Sequence, residues 1–524
     1  MRMLRHHHIS SRSFAGSSGT PQAVFTFLLL PCCLALDFRA PPLISNTSFL
    51  WAWNAPVERC VNRRFQLPPD LRLFSVKGSP QKSATGQFIT LFYADRLGYY
   101  PHIDEKTGKT VFGGIPQLGN LKSHLEKAKN DIAYYIPNDS VGLAVIDWEN
   151  WRPTWARNWK PKDVYRDESV ELVLQKNPQL SFPEASKIAK VDFETAGKSF
   201  MQETLKLGKL LRPNHLWGYY LFPDCYNHNY NQPTYNGNCP DVEKRRNDDL
   251  DWLWKESTAL FPSVYLNIRL KSTQNAALYV RNRVQEAIRL SKIASVESPL
   301  PVFVYARPVF TDGSSTYLSQ QSCMNLGTYL NTTLNPYIIN VTLAAKMCSQ
   351  VLCHDEGVCT RKHWNSSDYL HLNPMNFAIQ TGEGGKYTVP GTVTLEDLQK
   401  FSDTFYCSCY ANIHCKKRVD IKNVHSVNVC MAEDICIDSP VKLQPSDHSS
   451  SQKEASTTTF SSISPSTTTA TVSPCTPEKH SPECLKVRCS EVIPNVTQKA
   501  CQSVKLKNIS YQSPIQNIKN QTTY

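Results

Sequence analysis

Along the chain, short apolar runs alternate with longer stretches whose apolar positions recur every three or four residues. Phe88 to Tyr93 (FITLFY), Val141 to Ile146 and Leu216 to Phe222 read as strands, while Leu121 to Tyr135 and Phe193 to Leu211 read as amphipathic helices. Strands and helices that alternate in this way predict an α/β fold with a parallel sheet or barrel, spanning residues 36–345. Barrels place their chemistry at the C-terminal ends of strands. One strand end stands out, because the run GLAVI is followed at once by Asp147 and Glu149. Side chains on a strand alternate faces, so these two carboxyls project to the same side with Cα atoms roughly 6 to 7 Å apart.

Two carboxyls that close, backed by apolar residues, do not both ionise easily, and one is expected to keep its proton near neutrality. A protonated acid beside an anion suits cleavage of a glycosidic bond. A solvated turn after a strand would use the same residue types. Trp148, Trp151, Trp155 and Trp159 crowd the segment, and sugar rings stack on such faces. Tyr93, Tyr220 with Asp224, and Tyr265 sit at the ends of other strand-like words. Arg152, Arg157, Lys160 and Lys162 follow the pair and read either as a solvated face or as a positive rim for a polyanion.

Composition narrows the partners. The 524 residues allow two or three domains, and the formal charge of +12 points to an acidic partner. A basic start, an apolar run from Ala23 to Leu34 and a small residue at Ala35 make residues 1–35 a secretory signal, with a signal anchor as the alternative. Of 18 cysteines, Cys32 and Cys33 fall in that signal, which leaves an even number for disulfides. Acceptor sequons stand at Asn46, Asn138, Asn331, Asn340, Asn365, Asn495, Asn508 and Asn520. Together these exclude cytosolic or nuclear work, and nucleic acid as the partner. No motif implies a cofactor, and no cysteine–histidine cluster has zinc spacing. Residues 438–524 turn Ser/Thr-rich and read as a glycosylated tail, in which Cys475, Cys484, Cys489 and Cys501 have no assigned role. The chain ends NIKNQTTY without an apolar segment, so a glycolipid anchor is not expected.

The words AVIDWENWRPTWARNWKPKDVY at 144–165, LWGYYLFPDCYN at 216–227, RNDDLDWLW at 246–254 and PYIINVTLAAKMC at 336–348 resemble the hyaluronidases, and within them those of the sperm surface. The resemblance implies a distorted (β/α) TIM-like barrel over 36–345, followed by an EGF-like disulfide-rich domain over 346–437. It implies endo-hydrolysis of β-1,4 linkages in hyaluronan, with Glu149 as general acid and the substrate's own acetamido oxygen as nucleophile, oriented by Asp147. Exchange of the two acids is the internal alternative. Tyr93, Tyr220, Asp224, Tyr265 and Arg283 are implied as substrate contacts, and Trp148 joins them as a ring face beside the acids on which a sugar can stack. The implied disulfides are Cys60–Cys323, Cys225–Cys239, Cys348–Cys359, Cys353–Cys407 and Cys409–Cys415; Cys430–Cys436 is added from proximity alone. Hyaluronan is the implied partner, with egg-coat glycoproteins as further candidates for an adhesive role, and the implied location is the secretory route, ending at the sperm surface or acrosome or outside the cell.

One stretch departs from the family pattern. After PVFVYARPVF a helix and a further barrel strand are expected, yet the chain passes from TYLSQ at 316–320 directly to QSCMN at 321–325. About one βα unit is missing near residue 320, which would expose two strand edges and leave activity in question.

Overall fold

In the computed structural model the described residues are 43–44, 49–311, 319–410, 413, 415–418 and 420–442. The expected signal, the Ser/Thr-rich tail with its four cysteines, and the sequons at Asn46, Asn495, Asn508 and Asn520 lie outside them.

The fold is mixed α/β. Strands β1 (Ala52–Trp53) and β2 (Val76–Lys77) pair in parallel. Next, β3 (Ile89–Tyr93), β4 (Gly142–Asp147) and β5 (His215–Tyr219) form a parallel sheet in that order, with Tyr93 opposite Asp147 and Ile146 opposite Tyr219. Parallel bridges from Tyr220 to Phe261, Leu260 to Val302 and Ser263 to Tyr305 extend the series by two further segments. Helices α1 (Leu121–Tyr135), α2 (Val164–Lys176), α3 (Phe182–Leu211) and α4 (Gln274–Ser291) make the crossovers. α1 has the bounds expected from its apolar period. α3 starts eleven residues before the expected Phe193, because Ser181 and Glu184 form a capping box and Pro183 occupies the first turn.

Period two sorts the sheet into two faces. Phe92, Ala144, Ile146, Trp148 and Trp217 turn toward the helices and share a buried cluster with Phe193, Phe200 and Trp254. Ile89, Leu143, Val145 and Phe261 turn the other way into a smaller cluster that Leu43, Ile44, Leu216 and Phe303 complete. Gly218 on β5 is required by close approach, since a Cβ there would lie 2.3 Å from the Ala259 carbonyl oxygen of the next segment.

The C-terminal half is stapled. Helices α5 (Gln320–Tyr329) and α6 (Asn335–Cys353) precede the antiparallel pair β6 (Gly357–Arg361) and β7 (Phe405–Cys409), and then the pair β8 (Ser426–Ala432) and β9 (Ile435–Pro440). All six expected disulfides are present. The domain boundary expected at 345/346 falls inside α6. That helix shares one apolar cluster with Trp53 and Phe74 on one side and with Phe401 and Val427 on the other, and the Trp51 indole donates to Thr342 Oγ1 at 2.9 Å. Among the described residues, no helix is long and apolar enough to cross a membrane. Asn138, Asn331 and Asn365 are exposed, whereas Asn340 on α6 is half-buried.

Candidate active site

The inward-facing residues at the C-terminal ends of the parallel segments meet in one cleft of about 1900 Å³. β3 contributes Tyr93, β4 contributes Asp147 with Glu149 two residues past its end, Tyr220 follows β5, and Tyr265 and Tyr305 end the next two segments. Each belongs to the same face as the inner apolar cluster, so strand alternation itself delivers them to one place. Tyr305 was not singled out from the sequence, although it ends PVFVY as Tyr265 ends PSVY. The ring centroids of Tyr220 and Tyr305 lie 5.0 Å apart, those of Tyr220 and Tyr265 6.3 Å, and the Arg307 guanidinium sits 5.1 Å from the Tyr265 ring centre.

Asp147 and Glu149 differ in setting. The Asp147 side chain is the deeper one, and its Oδ1 is buried without a hydrogen-bond partner. Burial, reinforced by the charge of Glu149 and a hydrogen bond between the two carboxyls, pushes Asp147 up to about 7. Glu149 is half exposed in the cleft. Its backbone carbonyl accepts from Arg152 Nη1 at 2.9 Å and from Lys162 Nζ at 2.5 Å, and Arg152 Nη2 lies 3.4 Å from its Oε2. One proton is therefore available to the pair near neutrality, as residue type and spacing led us to expect. Burial, and next the charge of Asp147, raise the Tyr93 hydroxyl to about 12; burial also raises Tyr220 and Tyr265, so all three stay protonated donors.

Three expected substrate contacts lie outside this lining. Trp148 is flanked by Asp147 and Glu149 in sequence, so the alternation that brings the acids together sends its indole to the opposite face. There it stacks on Tyr100 at 4.5 Å and is 4% exposed. Asp224 and Arg283 are buried in an ion pair at 2.7 Å. Burial pushes the Asp224 carboxyl up, but the Arg283 guanidinium pulls it below its usual range. Arg283 also donates to the Ser263 carbonyl at 3.0 Å and to Asn227 Oδ1 at 3.1 Å. Arg283 thus ties α4 to the segment that ends in Tyr265, as a strut behind the cleft.

The positive rim read from the sequence is likewise only partly at the surface. Arg152 and Arg157 are buried, the latter 3.0 Å from Glu243 Oε2 and 2.9 Å from Asn247 Oδ1. Of the four tryptophans, Trp148 and Trp151 are core residues and Trp159 is exposed. Leu221, next to Tyr220, has φ +74°, a strained backbone of the kind found beside functional residues, and its N–H is bonded to the Phe261 carbonyl at 3.0 Å.

Comparison with known proteins points one way. The family profile described as Hyaluronidase matches residues 38–322 and 313–419, two stretches that overlap near residue 320. Human hyaluronidase PH-20 is 60% identical over 472 aligned positions, covering 84% of this chain and 92% of that protein. Rabbit (Oryctolagus cuniculus) hyaluronidase PH-20 is 55% identical over 522, covering 93% and 96%. Human hyaluronidase-4 is 42% identical over 415, covering 73% and 86%. Among solved structures, bee venom hyaluronidase in complex with a hyaluronic acid tetramer aligns at 28% identity with a TM-score of 0.47, covering 55% of this chain and 98% of that one.

Proposed function

The chain belongs to the hyaluronidase family, and on that premise we propose that it hydrolyses the β-1,4 linkage between N-acetylglucosamine and glucuronate within hyaluronan. The observation that carries the residue assignment is the Asp147–Glu149 pair, two carboxyls on one wall of one cleft, coupled so that a single proton is retained near neutrality. Glu149 is the exposed member and the one a glycosidic oxygen can reach. In the empty cleft Asp147 holds the proton. With a sugar bound over the pair, the proton passes to Glu149, the carboxyl that faces the glycosidic oxygen. Asp147 is then left charged beside the acetamido N–H.

The bond-breaking step follows. The acetamido oxygen attacks the anomeric carbon, the glycosidic oxygen leaves with the Glu149 proton, and the cyclic cation is stabilised by Asp147. Water then opens the ring, giving its proton to Glu149. Tyr220 and Tyr265 hold the acetamido group, and Tyr93 contacts the bound sugar.

The same reading extends to architecture: a distorted barrel over 36–345, an EGF-like module over 346–437, a cleaved signal and a glycosylated tail. The barrel lacks one βα unit near residue 320. Two observations support this. The alignment with human hyaluronidase PH-20 is 472 positions long yet uses 84% of this chain's 524 residues, so it carries gaps on this side. The segment 302–305 bonds its neighbour through Phe303 and Tyr305, while the backbone groups of Val302 and Val304 have no backbone hydrogen bond among the described residues beyond the Leu260–Val302 bridge. An open strand edge is what a missing neighbour leaves. Secretion and service on sperm, with egg-coat glycoproteins as further partners, complete the proposal.

The test is hyaluronan chain length after incubation with the secreted chain, beside Glu149→Gln. Shortening by the parent and none by the variant is expected, with binding largely spared. Full activity in Glu149→Gln would exclude the assignment. A folded parent that binds but shortens nothing would make this chain a hyaluronan binder.

A further inference from the structure

The cleft does not stop at the acids. It runs from Glu149 past Tyr265 and Arg307, along α4 at Val280 and Arg281, to β6 and the loop after it. Its lining holds five cationic side chains, Arg281, Lys292, Arg307, Arg361 and Lys362, and no carboxylate besides Asp147 and Glu149. Five cations to two carboxylates is a larger excess than the 57 basic and 45 acidic residues of the whole chain.

At the far end, cations and aromatic faces interleave. Arg281 and Arg361 lie over the ring of Tyr369, at 5.8 and 5.2 Å from its centre, and Arg281 also donates to its hydroxyl at 2.8 Å. Arg281, Arg361 and Lys362 make no ion pair among the described residues; Asp368 is the nearby carboxylate whose field reaches Arg361. The Arg281 Nε is buried with no hydrogen-bond partner. Around them Tyr337, Trp364 and Tyr369 are 50%, 45% and 43% exposed, large rings left facing the cleft. Burial, and then the charge of Arg281, hold the Arg361 guanidinium below its ordinary value, which an incoming anion would relieve.

We propose that Arg361, Lys362, Trp364 and Tyr369 form a non-catalytic platform that binds a carboxylate-bearing polysaccharide, the distal part of the same polymer whose bond lies at Glu149. The occupant follows from chemistry. Exposed indole and phenol faces stack on sugar rings, and guanidinium and ammonium groups pair with the uronate that recurs along the chain. A platform continuous with the catalytic cleft raises the effective concentration of the polymer at Glu149 and retains it after a cut. This rests on the function proposed above for the acids, but its binding step is separable from it.

The experiment uses the full-length secreted chain carrying Glu149→Gln, which binds without cutting, on immobilised high-molecular-mass hyaluronan, with neutral dextran as control. Lys362→Gln with Trp364→Ala changes only exposed side chains. It is expected to weaken binding on the order of tenfold at low salt, with the loss shrinking as salt is raised. Arg361→Gln is expected to act in the same direction. In the active background the double variant should raise KM for long hyaluronan and leave kcat/KM for a hexasaccharide unchanged. Unchanged binding to hyaluronan, equal loss on dextran, or equal loss on long and short substrates overturns the platform. If the parent shortens nothing while Glu149→Gln binds and the double variant does not, the catalytic reading fails and the platform stands.

Discussion

Replacing Asp147 by Asn should make the protein more stable at neutral pH while removing its activity. The Asp147 carboxyl is raised from 3.8 to about 7, first by burial and then by Glu149. The folded chain therefore keeps a proton that the unfolded chain has lost, over the window from about pH 4 to about pH 7. With the folded value above the unfolded one, stability falls as pH rises through that window, and the penalty is complete above about 7. A shift of this size is worth about 4 kcal/mol at most. Because the proton is shared with Glu149, we assign about 2 kcal/mol to Asp147 itself. Asn keeps the shape and carries no charge, so it escapes the penalty.

The assay is thermal unfolding of parent and Asp147→Asn at one scan rate, near pH 4.5 and near pH 8. Any fixed cost of the amide cancels when the difference between the two proteins is compared at the two pH values. The variant should gain on the parent by about 2 °C between them. A difference that does not change with pH, or that moves against the variant as pH rises, would refute the picture of a buried carboxyl holding its proton.

Two further outcomes follow from packing. Gly218→Ala places a Cβ 2.3 Å from the Ala259 carbonyl, in a neighbouring parallel segment that cannot retreat without tearing the sheet; a loss of roughly 2 to 4 kcal/mol and poor secretion are expected, read by yield and melting temperature. Arg283→Met strands the buried Asp224 charge, so denaturant unfolding should show a loss of about 3 to 5 kcal/mol; unchanged stability with a raised KM would return Arg283 to the substrate contacts.

The parts of the fold that depend on local pattern were legible. α1 has its expected extent and β4 lies within one residue of it at each end, because a 3.6-residue period and an apolar run each leave a mark within one window. The start of α3 was also written in the chain, as Ser181, Pro183 and Glu184. Strand β5 ends three residues sooner than its composition suggests, and Leu221 with φ +74° lies just beyond that end. What could not be read is partnership over distance. Arg157 looked like surface charge because its partner Glu243 is 86 residues away, and Asp224 and Arg283 are separated by 59. Charge in sequence says nothing about whether a distant opposite charge will be folded onto it. Trp148 is a different case: the alternation that paired the acids was sufficient to exclude it, and its being an indole next to them in sequence was given more weight than its face of the strand.

Where the proposed gap falls decides what it can disturb. β4, which carries the acids, has a hydrogen-bonded neighbour on each side, and the open edge at Val302 and Val304 lies three segments away. Placement of Asp147 and Glu149 rests on the β3–β4–β5 ladder, on Arg152 and on Lys162, none of which touches that edge. A unit missing there would cost a wall of the cleft and apolar cover for α4, whose Ala277, Val280, Val284 and Ile288 are half-exposed. Loss of cover lowers stability across the domain, whereas loss of a wall admits water to the bond being cut. These two costs have different signatures. A chain short of cover melts early but works at low temperature. A chain short of a wall folds and binds, yet turns over slowly at every temperature.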